Sequence, residues 1–517
     1  MGLQARRLSA TSVGRASAKP VWSSPSGLLP LGLADPFGAH AGLGRFTSAY
    51  CIRRDLLACG GEAPRRATFA RVSHPRLRLA TKIGYAFGSV GTGGFSTVPG
   101  LLLLYYLTDE LGVTAVVAGL VVLLPKAWDV ILNPLVGNWS DHTVSRWGAR
   151  IPWMVRGAVV LPIFFALMFL GPGGITGGAA AAYVTVTFIG AATGFAFFRG
   201  LGDDYDERTS VMTYRIAFLT LAILVFGAGA PALVKAGGDG AAGYRFMGAV
   251  CAVLFLVGFA TAIVATRDVP SVLRAEPGGG LRDQLVAVRD NPDFRVLFAA
   301  FVIQALGTSA ALAGAPYVAE YLLGAKGLTT VLFVALVAPA ILLVPVWRLV
   351  ANRFGKEKGF RWATMCFLVG ALVMTTAGRS PTWLLLVGVG VAGIGYAGQQ
   401  LFPLAMLPDT IQADSLRTGR RRSGAFTGVW TAGETLGFAL GPAVFGLVLA
   451  LGGFVSTTSG QTVTQPDSAL TAIALGFGVV PAVLMLVSLP VLRRYRLTEG
   501  ELRALAAAAE AAGSPSS

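Results

Sequence analysis

About twelve apolar runs, each long enough to cross a bilayer as a helix, follow one another between residues 83 and 492, and they dictate what this chain can fold into. They lie near 83–107, 113–137, 152–171, 175–198, 212–235, 243–266, 294–323, 328–350, 361–377, 382–407, 424–452 and 468–492. Hydrocarbon offers no water to backbone N–H and C=O groups, so such runs must satisfy themselves as helices. An all-α membrane protein of about twelve transmembrane helices is therefore expected. Composition agrees, because only 13% of residues are charged against about 25% in soluble domains. The 67 glycines suit close approach of spanning helices. A formal charge of +16 would point to nucleic acid in a soluble chain. Here the cations gather in alternate loops: Arg146 and Arg150, Arg208, 267–289, 353–361, 417–422 and 493–503. That is the positive-inside pattern, which places both termini in the cytoplasm and accounts for the charge without a nucleic-acid partner; a plasma (inner) membrane location is expected.

The longest internal linker, 267–293, contains Glu276-Pro277-Gly278-Gly279-Gly280 and divides the spans six and six. The reading is thus a first half over 79–266, a cytoplasmic linker over 267–293, a second half over 294–494 and a cytoplasmic tail over 495–517. Weak internal similarity supports two repeats, since an acidic-then-basic loop follows span 4 at 203–208 and span 10 at 409–422. Residues 1–78 are rich in Arg, Ser and Gly and poor in acids. Three readings are open for them: a disordered tail, an organellar targeting segment, or an over-long reading frame, which is favoured because Val72 precedes the basic run into span 1.

Two carboxylates stand inside apolar runs, Asp129 in span 2 and Glu434 in span 11. A central Asp costs roughly 2.5 to 3.5 kcal/mol on insertion scales, so each needs a reason, and an ion or solute pathway is the first to consider. Lys126 lies one turn before Asp129, and an intrahelical pair that merely neutralises both is the structural alternative. For Glu434 the alternative is an ion pair with Lys126 or Arg215. Gln304, Gln399 and Gln400 are polar groups on apolar spans, which either line a cavity or bond between helices. No metal-ligand spacing, phosphate loop or nucleophile elbow is present, and His40, His74 and His142 lie in the tail or a loop. The four cysteines form no CxxC pair, so an enzyme, a cofactor or a metal centre is not indicated.

The segment Lys126-Ala127-Trp128-Asp129-Val130-Ile131-Leu132-Asn133-Pro134, running on to Gly137, Asp141, Arg146-Trp147-Gly148, Arg150 and Pro152-Trp153, resembles span 2 and the following loop of the glycoside-pentoside-hexuronide cation symporters, a branch of the major facilitator superfamily. Lys82-Ile83-Gly84-Tyr85, Asp206-Glu207-Arg208-Thr209 with Tyr214-Arg215, Asn291-Pro292-Asp293-Phe294-Arg295, and Asp409 through Arg421 resemble further motifs of that family in order. The likeness implies a major facilitator fold with a central cavity and a cation site against span 2, holding Asp129 and, one turn on, Asn133. The family often has a second acid where Asn133 stands, so sodium and a proton both remain open as coupling ions, the lost charge favouring the proton; a sodium ion at Asp129 is the one metal in view. Lys126, Trp128, Arg215, Gln304 and Glu434 are the expected substrate contacts. Asp141, Arg146, Arg150, Asp409, Arg417 and Arg420 are expected to form gating pairs at the cytoplasmic end.

Some family features are missing. The acids that hold sugar in spans 1 and 4 of the melibiose carrier have no counterpart near Gly93 or in Thr193-Gly194-Phe195-Ala196-Phe197-Phe198, and Glu434 replaces an expected lysine. The first expectation is cation-coupled symport of a sugar, glycoside or related polar solute by a monomer in the lipid bilayer. A proton-driven exporter or carrier of an amphipathic solute is the runner-up, and a transport-dead membrane sensor is the alternative of another class.

Overall fold

The computed structural model describes residues 78–513 except 144, 146, 148–150, 200–207, 268–285, 287, 421 and 462, and it leaves aside the side chains of 138, 141, 199, 208–213 and 509–513. The reading of residues 1–78 therefore falls almost wholly outside the described residues, as do Arg146 and Arg150 and the side chain of Asp141.

Helices follow the apolar runs. The first, α1, is assembled from Leu79–Phe87, Ser89–Val98, Pro99–Leu103 and Tyr106–Glu110. Its last two pieces are π-helical, and the widening begins at Pro99, which brings no N–H to the ladder. Then come α2 (Ala115–Asp141), α3 (Ile151–Phe169), α4 (Gly177–Arg199), α5 (Arg208–Ala236) and α6 (Gly240–Thr266). In the second half α7 runs over Pro292–Leu322, α8 pairs Leu328–Leu342 with Val344–Phe354 at a 50° bend, α9 is Lys356–Met374, α10 Thr382–Thr418, α11 Ser423–Leu451 and α12 Asp467–Leu492. A last helix, α13, spans Glu499–Gly513.

Local chemistry sets several boundaries. Asn291 caps α7, accepting a hydrogen bond from the N–H of Phe294 at 2.9 Å, with Pro292 at the first helical position. Gly419, at φ 65°, ends α10. Three features differ from the sequence expectation. The α10 helix continues eleven residues past 407 through Pro403 and Pro408, because its extension is held from the side: Thr410 shares a hydrogen bond with Tyr495 at 3.1 Å and Lys356 Nζ reaches Asp409. The start of α9 moves back to Lys356 for the same reason. Within the expected tail Glu499–Gly513 is helical, with Leu502 and Leu505 packed on the second half's apolar cluster.

Packing repeats with an offset of six. In the first half α1 packs on α5 and α6, α2 on α4, and α3 on α4 and α6; in the second, α7 packs on α11 and α12, α8 on α10, and α9 on α10 and α12. The expected two-half major facilitator architecture is thus present. Between halves, α2 lies on α11, α5 on α8, and α1 on α7. Small residues allow this approach: a Cβ on Gly119 would sit 2.9 Å from Ala443 Cα, and one on Gly446 2.5 Å from the Ala115 carbonyl. Those contacts lie at the end holding the α1–α2 and α11–α12 loops, here termed the distal end. The described chain starts and α12 finishes at the other, proximal end.

Candidate functional site

The middle of the first half is built around α2. Asp129 is 2% exposed, the burial that the sequence expected. Lys126, one turn earlier, holds its ammonium 4.6 Å from the ring centre of Phe95, 5.7 Å from that of Phe188 and 5.9 Å from that of Phe195. Rings of α1 and α4 therefore surround the cation where the family's sugar-holding acids are missing, and ring quadrupoles stabilise a desolvated ammonium. Trp128 donates its indole N–H to Thr193 Oγ1 at 3.1 Å, tying α2 to α4 while 39% of the residue stays exposed. Asn133 is half-buried one turn beyond Asp129. Pro125 and Pro134 lie within α2, so each removes one ladder hydrogen bond, and Pro134 leaves the Val130 carbonyl, next to Asp129, without its usual donor.

In the second half Glu434 is half-buried on α11. Trp430, one turn before Glu434, is 3% exposed, stacks on Phe301 at 4.5 Å and keeps its indole N–H buried without a hydrogen-bond partner. That orphaned donor carries no signal in sequence, since any Trp in an apolar run reads as packing. Arg215 is half-buried near the start of α5. Gln304 lies on α7, its amide oxygen buried without a hydrogen-bond partner. It is 1% exposed, and its amide donates to Thr364 Oγ1 and Ser488 Oγ at 3.1 Å each, so it bonds α7 to α9 and α12. Gln399 likewise reaches Met485 Sδ at 3.1 Å.

At the proximal end two of the residues expected in gating pairs, Asp409 and Arg417, find partners inside the second half. Asp409 meets Lys356 Nζ at 2.5 Å and Arg417 meets Asp293 at 2.9 Å. Arg422 donates to Asp414 at 2.8 and 3.1 Å and lies 3.7 Å from Asp290. Arg420 is exposed, its backbone N–H on Thr418. These bonds splice α7, α9, α10 and α11 together.

Sequence reasoning passed over the distal end, where the two halves meet through polar groups. The apolar run of α1 stops at Leu107 and is followed by Thr108, Asp109 and Glu110. Asp109, 7% exposed, accepts from Tyr321 of the second half and from Thr108 Oγ1 at 2.5 Å. Thr108 in turn shares a 2.7 Å hydrogen bond with Tyr317. The backbone closes around them: the N–H of Thr457 donates to the Thr108 carbonyl at 2.8 Å, that of Ser459 to the Glu110 carbonyl at 3.0 Å, and Thr457 Oγ1 to the Asp109 carbonyl at 3.2 Å. Burial pushes the Asp109 carboxyl up to about 7, against the opposing hydrogen bonds from Thr108 and Tyr321. Burial also raises that of Glu110. The pairing could not be read from sequence because Asp109 and Tyr321 are 212 residues apart.

The profile of the MFS/sugar transport protein family matches residues 84–499. A putative glycoside/cation symporter of Escherichia coli, YagG, is 26% identical, the match covering 83% of this chain and 94% of that protein. The isoprimeverose transporter of Lactiplantibacillus pentosus is also 26% identical, over 80% of this chain and 87% of its own length. Among solved structures, the nucleoside transporter NupG superposes with a TM-score of 0.57 at 13% identity, covering 80% of this chain and all of that one. That likeness bears on the fold alone.

Proposed function

We propose that this chain, which belongs to the MFS/sugar transport protein family, is a secondary transporter that couples the uptake of a sugar, glycoside or related polar solute to a cation. Its family and relatives are transporters, not enzymes. The observation that carries the reading is Asp129: a carboxylate 2% exposed at mid-span on α2, beside a caged Lys126, in a bundle whose halves are joined at the distal end. A charge so placed is costly, and transport is what it would serve.

In this reading Asp129 binds the coupling ion, with the amide oxygen of Asn133 as a neutral second donor. Hard cations such as sodium accept both oxygen types, while one carboxylate alone also suffices for a proton; the single formal charge favours the proton. The solute would lie between the halves, reached by Glu434 and Trp430 from α11, Arg215 from α5 and Lys126 and Trp128 from α2. Gln304 is assigned to holding α7, α9 and α12 together. The proximal pairs of Asp409 and Arg417 would keep the second half rigid while it rocks against the first, and Asp141, Arg146, Arg150 and Arg420 would meet when that end closes. Coupling requires ion and solute to favour the same state, each raising the other's affinity by the same factor. The protein is placed in the plasma membrane, with both termini in the cytoplasm and the distal end outward.

The test is accumulation in proteoliposomes. A panel of monosaccharides, glycosides and glucuronides is offered under an imposed proton gradient, a sodium gradient, or neither. Uptake above equilibrium with one gradient, abolished in Asp129→Asn, is expected. Equal uptake with and without gradients would overturn the coupling role.

A further inference from the structure

A separate cavity of about 240 Å³ lies at the distal end, between α1, α4, the start of α6 and the α11–α12 loop. Its lining includes Tyr106, Glu110, Tyr183 and Arg245 from the first half and Thr458 and Ser459 from the second. Glu110 is 7% exposed. Ser459 supports its carboxylate, yet Oε2 is buried without a hydrogen-bond partner. An unsatisfied buried acceptor is costly, and Glu110 lines the cavity, so a small turn of its carboxylate lets a ligand hydroxyl supply the missing donor. Arg245 is exposed and spends one donor on the Gly171 carbonyl, at 3.5 Å, out of five in a guanidinium. Carboxylate and guanidinium balance in charge, and hydroxyls satisfy both, donating to the first and accepting from the second. The Tyr106 ring adds an aromatic wall. The volume falls below the roughly 300–1,000 Å³ of sites for drug-sized ligands, which suits one sugar ring better than two.

The cavity is distinct from the central group. Phe95, which faces Lys126, precedes Glu110 by fifteen residues of α1, or about 22 Å at 1.5 Å per residue. Its walls come from both halves, and Thr458 and Ser459 would leave when the distal end opens. A ligand seated there binds the distally closed state better, and so shifts the population toward that state.

We propose that this cavity is a second solute site for a neutral, polyhydroxylated molecule of monosaccharide size, whose occupancy holds the distal end shut. Its regulatory consequence rests on the alternating-access reading above; its binding does not. High solute on the distal side would then slow the carrier's return.

The test uses the full chain in nanodiscs, with D-xylose, D-glucose and myo-inositol as probes. Binding is followed by titration calorimetry, and distal separation by pulsed electron resonance between labels at Ala179 and Arg379. The expected result is that at least one probe binds, narrows the distance distribution toward the closed state, and loses at least tenfold in affinity in Glu110→Gln and in Arg245→Gln. Matched thermal melting of Glu110→Gln and the parent separates site loss from misfolding. Absence of binding by all three probes, or binding indifferent to both substitutions, would overturn the proposal. Pocket binding without gradient-driven uptake of any solute would instead sink the symport reading and leave this site standing.

Discussion

Replacing Asp109 by Asn should remove a pH dependence from the opening of the distal end. In the closed state burial raises this carboxyl to about 7, from 3.8 when solvated. A group raised on closure stabilises the closed state in its protonated form. The stabilisation is complete below pH 4, falls tenfold for each unit up to 7, and is gone above that. The separation of about 3 units thus gives a closed-to-open ratio several-hundredfold higher at pH 4 than at pH 8. Between pH 5 and 7, where measurement is practical, the change is about fiftyfold. The neighbouring charges that also act on Asp109 are Glu110 and Lys326, so the experiment is best run in both the parent and a Glu110→Gln background. With labels at Ala179 and Arg379, the parent should populate the distally open distance increasingly as pH rises from 5 to 7, and Asp109→Asn should be flat. An equally flat parent, or a slope retained in Asp109→Asn, would refute the reasoning.

Further outcomes follow from the same geometry. Gly119→Val places branched methyls where a Cβ is already 2.9 Å from Ala443 Cα; it should bias the carrier toward the distally open state and cut transport at least tenfold, seen as increased distal thiol labelling. Gln304→Leu gives up hydrogen bonds to Thr364 and Ser488 and should cost about 1–3 kcal/mol of stability, lowering the melting temperature while leaving KM for solute within twofold. Glu434→Gln should do the reverse, raising KM with little change in melting. Lys356→Ala breaks a partly exposed pair with Asp409 and should lower the melting temperature by only about 1–2 °C, because such pairs contribute little.

Spans were legible because bilayer physics leaves an apolar run of about 20 residues one choice of structure. Asp129 was legible too, since a carboxylate at mid-span stands out against its neighbours. What escaped was pairing across the chain. Asp109, Glu110 and Tyr321 sit at ends of apolar runs, where charges and phenols are ordinary interfacial residues, and only the folded structure brings Tyr317 and Tyr321 onto Thr108 and Asp109. The boundary of α10 escaped for a related reason. Pro403 and Pro408 argue for an end, whereas Lys356 and Tyr495, distant in sequence, hold the helix onward to Thr418. Gln304 shows the limit from the other side: its amide carries the same sequence signal whether it faces a cavity or Ser488.

The central claim is that Asp129 couples cation movement to solute movement. Its most direct test is the transient current on a solid-supported membrane after a jump in transported solute, recorded for the parent and Asp129→Asn in proteoliposomes. The parent should move positive charge with the solute, and Asp129→Asn should give no current while still binding solute. A parental current that survives in Asp129→Asn would place coupling elsewhere and contradict the account.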